Sequence, residues 1–123
     1  MSAIFSLVPN KTFDHTINIP RAGYDDAKLK MTFNHHSLRD LKAEQKTFAE
    51  AYEKVSKIKD EEKRDEEGRK LQVKFLQWLA SGWEVADEFN EANILTMLEN
   101  YPRSFDAITT QYQAELWCIR SKG

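Results

Sequence analysis

Leu98–Trp117 reads LENYPRSFDAITTQYQAELW, a helical pattern that a proline interrupts and that then resumes at once. Pro102 disfavours helical geometry at Tyr101 and is at home in the first turn of a helix. Beyond it, Phe105, Ile108, Tyr112, Leu116 and Ile119 recur at three- and four-residue steps, the spacing of one core-facing helical side. Before it, Ile94, Leu95, Leu98 and Tyr101 mark another such side, opened by Asn90 as N-cap with Glu91 suited to the helix dipole. The first of these helices is about ten residues long and needs tertiary packing to persist. The reading is therefore a helix over 91–101, a sharp corner at Pro102, and a second helix over 103–120.

Working outward, Ser81-Gly82-Trp83 reads as a helix stop, with Gly82 able to take the left-handed terminal conformation. Ahead of it Leu71, Phe75, Leu76 and Leu79 cover a broad helical side, with Trp78 off the narrowest stripe. From Lys54 to Lys70 thirteen residues are charged, seven basic and six acidic, so the field largely cancels and a solvated, salt-bridged helix is expected. Leu38, Leu41, Phe48, Tyr52, Val55 and Ile58 mark a further helical side, begun by Ser37 as N-cap with Asp40 at the third position. Gly68 is a break, a kink or a tolerated cost, so 38–80 is either one long helix or a hairpin-like pair. At the N-terminal end, Phe13, His15, Ile17 and Ile19 alternate with polar residues up to Pro20, and Leu29, Met31 and Phe33 alternate again. Those two runs predict an antiparallel hairpin with a rather long connection through RAGYDD, its apolar side resting on something else.

The whole is an α+β chain, predominantly helical, in which an N-terminal β-hairpin packs on about four amphipathic helices. At 123 residues it is read as a single domain, 1–123. Within it, 1–36 holds the hairpin, 37–82 the charged helical middle, and 83–123 the helix–corner–helix module.

Composition excludes several classes. With 41% hydrophobic and 31% charged residues and only short apolar runs, nothing spans a bilayer and no signal peptide is expected. The lone Cys118 suits a reducing cytoplasm and reads as a small buried hydrophobe. Net charge is −2, with seven acids against three bases from Trp83 onward, which offers nucleic acid no general attraction. Lys28, Lys30, Arg39, Lys42 and Lys46 could touch phosphates, but Asp40 and Glu44 interrupt them. His15, His35 and His36 lack the ligand set of a catalytic zinc site and read as polar residues at a strand-to-helix junction. Carboxylates over 60–67 and 84–91 are numerous but solvated, and acid–base chemistry needs placement rather than number. No P-loop, CxxC pair, HExxH or serine elbow is present. No catalytic residue, metal ligand or cofactor is assigned, and the chain is read as non-enzymatic. Tryptophans off a buried stripe are good interface anchors, so Tyr24, Trp78, Trp83 and Trp117 are the candidate protein-binding surface.

The stretch from Trp83 to Leu116, WEVADEFNEANILTMLENYPRSFDAITTQYQAEL, resembles the tail assembly chaperones of long non-contractile-tailed bacteriophages. In that family a tryptophan and an acidic-aromatic turn lead into an FTEENLxxLLENYP helix and a second helix with an isoleucine, an aromatic and a Glu-Leu pair. The correspondence falls on Trp83, Phe89, Asn90, Glu91, Asn93, Ile94, Met97, Leu98, Glu99, Asn100, Tyr101 and Pro102. It continues at Ala107, Ile108, Tyr112, Glu115 and Leu116. Arg103-Ser104 and Trp117-Cys118-Ile119 depart from the pattern. The resemblance implies a protein that binds the tape measure protein, keeps its apolar helices soluble and self-associates. It also implies help in recruiting tail tube subunits during tail morphogenesis, in the host cell cytoplasm, and absence from the finished virion. The alternative is a generic oligomeric helical adaptor or a nucleic-acid-associated regulator.

Overall fold

The computed structural model describes residues 5–118. Strands β1 (Thr12–Arg21) and β2 (Tyr24–Asn34) form the expected hairpin. It is tighter than RAGYDD suggests: only Ala22 and Gly23 connect the strands, and Gly23 takes the positive φ of 79° that a side chain would resist. Pro20 sits inside β1, where the register shifts between Ile19 and Arg21. Because β1 is an edge of the sheet, the missing donor is tolerated there. Gln111 closes that edge further on: its side-chain oxygen accepts from Asn18 N and its nitrogen donates to Asn18 O, each at 2.9 Å.

The charged middle is two helices, α1 (Leu38–Ser56) and α2 (Glu61–Leu79). The break falls at Lys57–Asp60 and not at Gly68, which lies buried within α2. An added Cβ there would meet the Tyr52 ring at 3.6 Å, an ordinary packing distance, so the ring lies on the helix at this point without requiring glycine. Ser37 caps α1 as expected, its hydroxyl accepting from Asp40 N at 3.1 Å. Leu38 and Tyr52, assigned to the dry side of α1, are instead 48% and 43% exposed, because only Leu41 is fully enclosed on that helix.

The Ser81-Gly82-Trp83 stop is a strand. Ala80 leaves α2 with φ −135° and ψ 153°, and β3 (Ala80–Trp83) pairs antiparallel with β2. Gly82 is therefore a strand residue opposite Thr32, and no left-handed cap is needed. The carbonyl of Trp78, in the last turn of α2, is satisfied from the hairpin side: Asn34 Nδ2 donates to it at 3.0 Å and His36 Nε2 at 2.9 Å. The His36 ring lies flat on the Trp78 indole, with centroids 3.5 Å apart. A polar residue pair at the strand-to-helix junction thus finishes a helix distant in sequence.

Helix α3 (Glu91–Asn100) is capped by Asn90, whose side chain accepts from Asn93 N at 2.9 Å, and α4 (Ser104–Leu116) follows the corner. Tyr101 has φ −125° and ψ 83°, outside helical space, so the chain turns where Pro102 demands. Pro102 itself lies ahead of α4 and not in its first turn, and α4 ends at Leu116, short of the expected 120; Ile119 lies outside the described residues.

One core joins these elements. Ile17, Ile19, Leu29, Met31 and Phe33 from the hairpin meet Leu76 and Leu79 of α2, Ile94 and Leu98 of α3, and Ile108 and Tyr112 of α4. Phe48, Phe75 and Phe105 form a second ring cluster tying α1, α2 and α4 together, with centroids 5.2–6.1 Å apart. Of the stripe residues named for the corner module, Ile94, Leu98, Ile108 and Tyr112 are buried, and Leu95, Phe105 and Leu116 are partly buried against them; Tyr101, expected on the dry side of α3, is instead 39% exposed because the chain leaves helical geometry there.

Two features of this core give measurable expectations. The Ser104 hydroxyl is fully buried without a hydrogen-bond partner among the described residues. Ser104→Ala removes that cost and improves helix propensity, so it should raise unfolding free energy by about 1 kcal/mol in urea titrations. A loss of stability would mean the hydroxyl is bonded in solution. Burial pushes the Tyr112 phenol up to about 12, only partly opposed by the backbone of His36. The folded chain then keeps this proton above pH 10 while the unfolded chain releases it. Stability should therefore fall between pH 10 and 12, by about 1.4 kcal/mol per pH unit at most. The check is whether the Tyr112 phenolate absorbance emerges with the loss of far-UV circular dichroism rather than before it.

Candidate protein-binding groove

Beyond the hairpin's turn end, the chain encloses an open groove of about 420 Å³. Its floor comes from Ile19, Ala27 and Leu29 on the dry side of the hairpin, of which Ile19 and Leu29 are themselves part of the core. One wall is the segment from Trp83 through Val85 to Asp87; the other is α3 and the corner, through Met97 and Tyr101. A volume of this order accommodates several side chains of a partner.

The walls are held in place by specific bonds. The Trp83 indole donates to Asp87 O at 2.8 Å and stands edge-on to Phe89, centroids 5.0 Å apart. Asn93 Nδ2 donates to Glu88 O at 2.7 Å, while its own N–H is taken by Asn90. One cap residue and one residue of the first turn thereby fix the connector that precedes the helix. Phe89, Asn90 and Asn93, prominent in the C-terminal sequence pattern, are what hold this wall against α3. Pre-set walls lower the ordering cost of binding.

Apolar side chains remain open to solvent along the groove. Val85 is 48% and Tyr101 39% exposed, and Met97 is half-buried. Met97 lies off the Ile94–Leu98 stripe that faces the core, so the turn of the helix brings it to the groove. The rim carries both charges, with Arg21 and Lys28 on the hairpin side and Asp87 opposite.

The four aromatic candidates do not form one surface. Trp83 lines the groove; Tyr24, at the hairpin turn, is outside the lining and 76% exposed, with the Arg21 guanidinium 5.2 Å above its ring. Trp78 is engaged with His36 and Phe75 on another side of the molecule. Trp117, 49% exposed, ends α4. Among the described residues no ring contact joins any two of the four. Of the other pattern residues, Leu98, Ile108 and Tyr112 are core, Leu116 packs against it, and Glu99 and Asn100 are exposed on α3. Ile19, Ala27, Val85 and Met97 were not singled out for binding from the sequence.

The histidines are dispersed: His36 is against Trp78, and His15 Nδ1 lies 3.9 Å from Glu115 Oε1. Among the described residues no group of three or more His, Cys, Asp or Glu side chains is placed to hold a metal ion, and no helix is long and apolar enough to cross a membrane.

A family model described as phage tail assembly chaperone matches residues 1–123. No curated protein and no solved structure matches the chain.

Proposed function

The chain belongs to the phage tail assembly chaperone family, and from that premise we propose that it holds an amphipathic helix of the tape measure protein in the groove at the hairpin end. The observation that carries this reading is the exposed apolar lining, Val85, Met97 and Tyr101, set on walls that hydrogen bonds already fix. Helix-in-groove capture needs a preformed apolar channel with a polar rim, and both are present. In this reading the chaperone acts by covering hydrophobic surface that would otherwise aggregate. It performs no covalent chemistry.

Coverage of the client in the host cytoplasm, recruitment of tail tube subunits and release before the virion is complete follow as parts of the same proposal. Capture has to be reversible, and a groove this small with a wet rim suits modest affinity. The test is co-expression with the tape measure protein. The client should move from the insoluble to the soluble fraction and co-purify with the chain. A client that stays insoluble beside abundant soluble chaperone would overturn the reading.

A further inference from the structure

Arg21 lines the groove without a carboxylate to pair with. Among the described residues the hairpin's charged contacts run through His15 and Lys30 and leave Arg21 out. The hairpin turn places it. After the register shift that follows Ile19, β1 and β2 meet again at Arg21 opposite Tyr24, and the tight Ala22-Gly23 connection brings residues 21, 24 and 25 together. Asp25 engages Arg21 through its backbone: the guanidinium Nε donates to Asp25 O at 2.8 Å. The Tyr24 ring lies against the same group, its centroid 5.2 Å from the guanidinium carbon. One hydrogen bond and one ring thus hold the planar group, while its two terminal nitrogens make no hydrogen bond among the described residues.

We propose that Arg21 is a carboxylate receptor of the groove, and that the segment the groove takes is an amphipathic helix with Asp or Glu beside its apolar stripe. This rests on the groove being a polypeptide-binding surface, as above, and adds the chemistry that selects the segment. A guanidinium presents N–H donors in a fork that matches the two oxygens of a carboxylate, and a fork already held loses little freedom on pairing. A helix whose stripe lies over Ile19, Ala27 and Leu29 excludes water from around Arg21, which strengthens the pair over one on an open surface. On the opposite wall Asp87 has no ion-pair partner among the described residues and repels the same carboxylate. An acid on one flank of the client therefore fixes which way the helix runs. Tyr24, outside the lining, is a positioning residue that acts through Arg21, which gives this exposed ring a part in binding without client contact.

Two synthetic helical peptides test this. Both carry the same leucine stripe; one has glutamate along a single flank, the other glutamine. Fluorescence anisotropy with the full chain should show the glutamate peptide bound about tenfold tighter at low salt, and the gap should narrow at high salt. Arg21→Gln should bring the two peptides to equal affinity by weakening only the glutamate peptide. Arg21→Lys keeps the charge without the fork, and Tyr24→Ala frees the guanidinium, so each should leave a smaller gap than the parent. Equal binding of the two peptides by the parent, or a gap that survives high salt or Arg21→Gln, would overturn the proposal and leave the groove reading standing. A parental gap in Tyr24→Ala would overturn the positioning role. Binding of neither peptide, or binding that Met97→Glu leaves untouched, would remove the groove and the role of Arg21 with it.

Discussion

Replacing Tyr112 with alanine should cost about 3–5 kcal/mol of folding free energy, the usual penalty for deleting a buried aromatic ring. A domain of this size has roughly 5–15 kcal/mol in total, so the variant should lose between a fifth and all of its stability and melt well below the parent. The ring is 1% exposed and meets Phe33 at 5.2 Å and Phe13 at 5.8 Å between centroids, which makes it the chief contact between α4 and the hairpin. Its hydroxyl donates to Asn34 O at 2.8 Å, and the Asn34 side chain in turn donates to Trp78 O at the end of α2. Three elements therefore depend on one side chain. Tyr112→Phe keeps the ring contacts and leaves the Asn34 carbonyl short of a donor, so its cost should be nearer 1 kcal/mol. Urea titration of the two variants separates packing from hydrogen bonding. An alanine variant within 1 kcal/mol of the parent would mean that α4 is held by something else.

How much of this was legible beforehand differs by element, for physical reasons. The corner was readable because three local signals agree there: an N-cap at Asn90, apolar residues at helical spacing on both sides, and a proline that bars helical geometry at Tyr101. The hairpin was readable from alternation at Phe13–Ile19 and Leu29–Phe33. Strand β3 was not. Four residues are too few to show alternation, and Gly82 next to a helix end resembles a cap; only pairing with Met31–Phe33, some fifty residues away, makes those residues a strand. The break between α1 and α2 was ambiguous because Lys57–Asp60 contains neither proline nor glycine, while Gly68 offered a false signal inside a continuous helix. The groove was less legible still. It arises between the hairpin, the segment from Trp83 to Asp87 and α3, which only the folded chain brings together. Aromatic content pointed to Trp83, which lines the groove, and equally to Tyr24, Trp78 and Trp117, which do not. Composition finds large side chains but carries no information on which side of the molecule they share.

Met97→Glu should weaken client capture by at least thirtyfold while leaving the fold intact, and this contrast separates binding from stability. Met97 is half-buried on the flank of α3, one turn from Ile94, packed against the edge of the core and open to the groove. Glutamate is a helix former nearly as good as methionine, so the expected folding cost is below about 1 kcal/mol. In a filled groove the outcome is different. The carboxylate would have to lose its water beside Ile19 and Leu29, while the cations of the lining, Arg21 and Lys28, stand at the wet rim, a cost of about 2 kcal/mol at a central contact. That energy corresponds to roughly thirtyfold in affinity. Leu38→Glu is the matched control, since Leu38 is an exposed apolar residue on α1 outside the groove lining. Circular dichroism melts should be near parental for both variants, and soluble client should fall only for Met97→Glu. Equal loss with both would point to general hydrophobic stickiness as the basis of capture. Equal retention would move the client to another surface, and the acid-rimmed trough between α2 and α3, floored by Val73 and Leu95, would then be the next place to substitute.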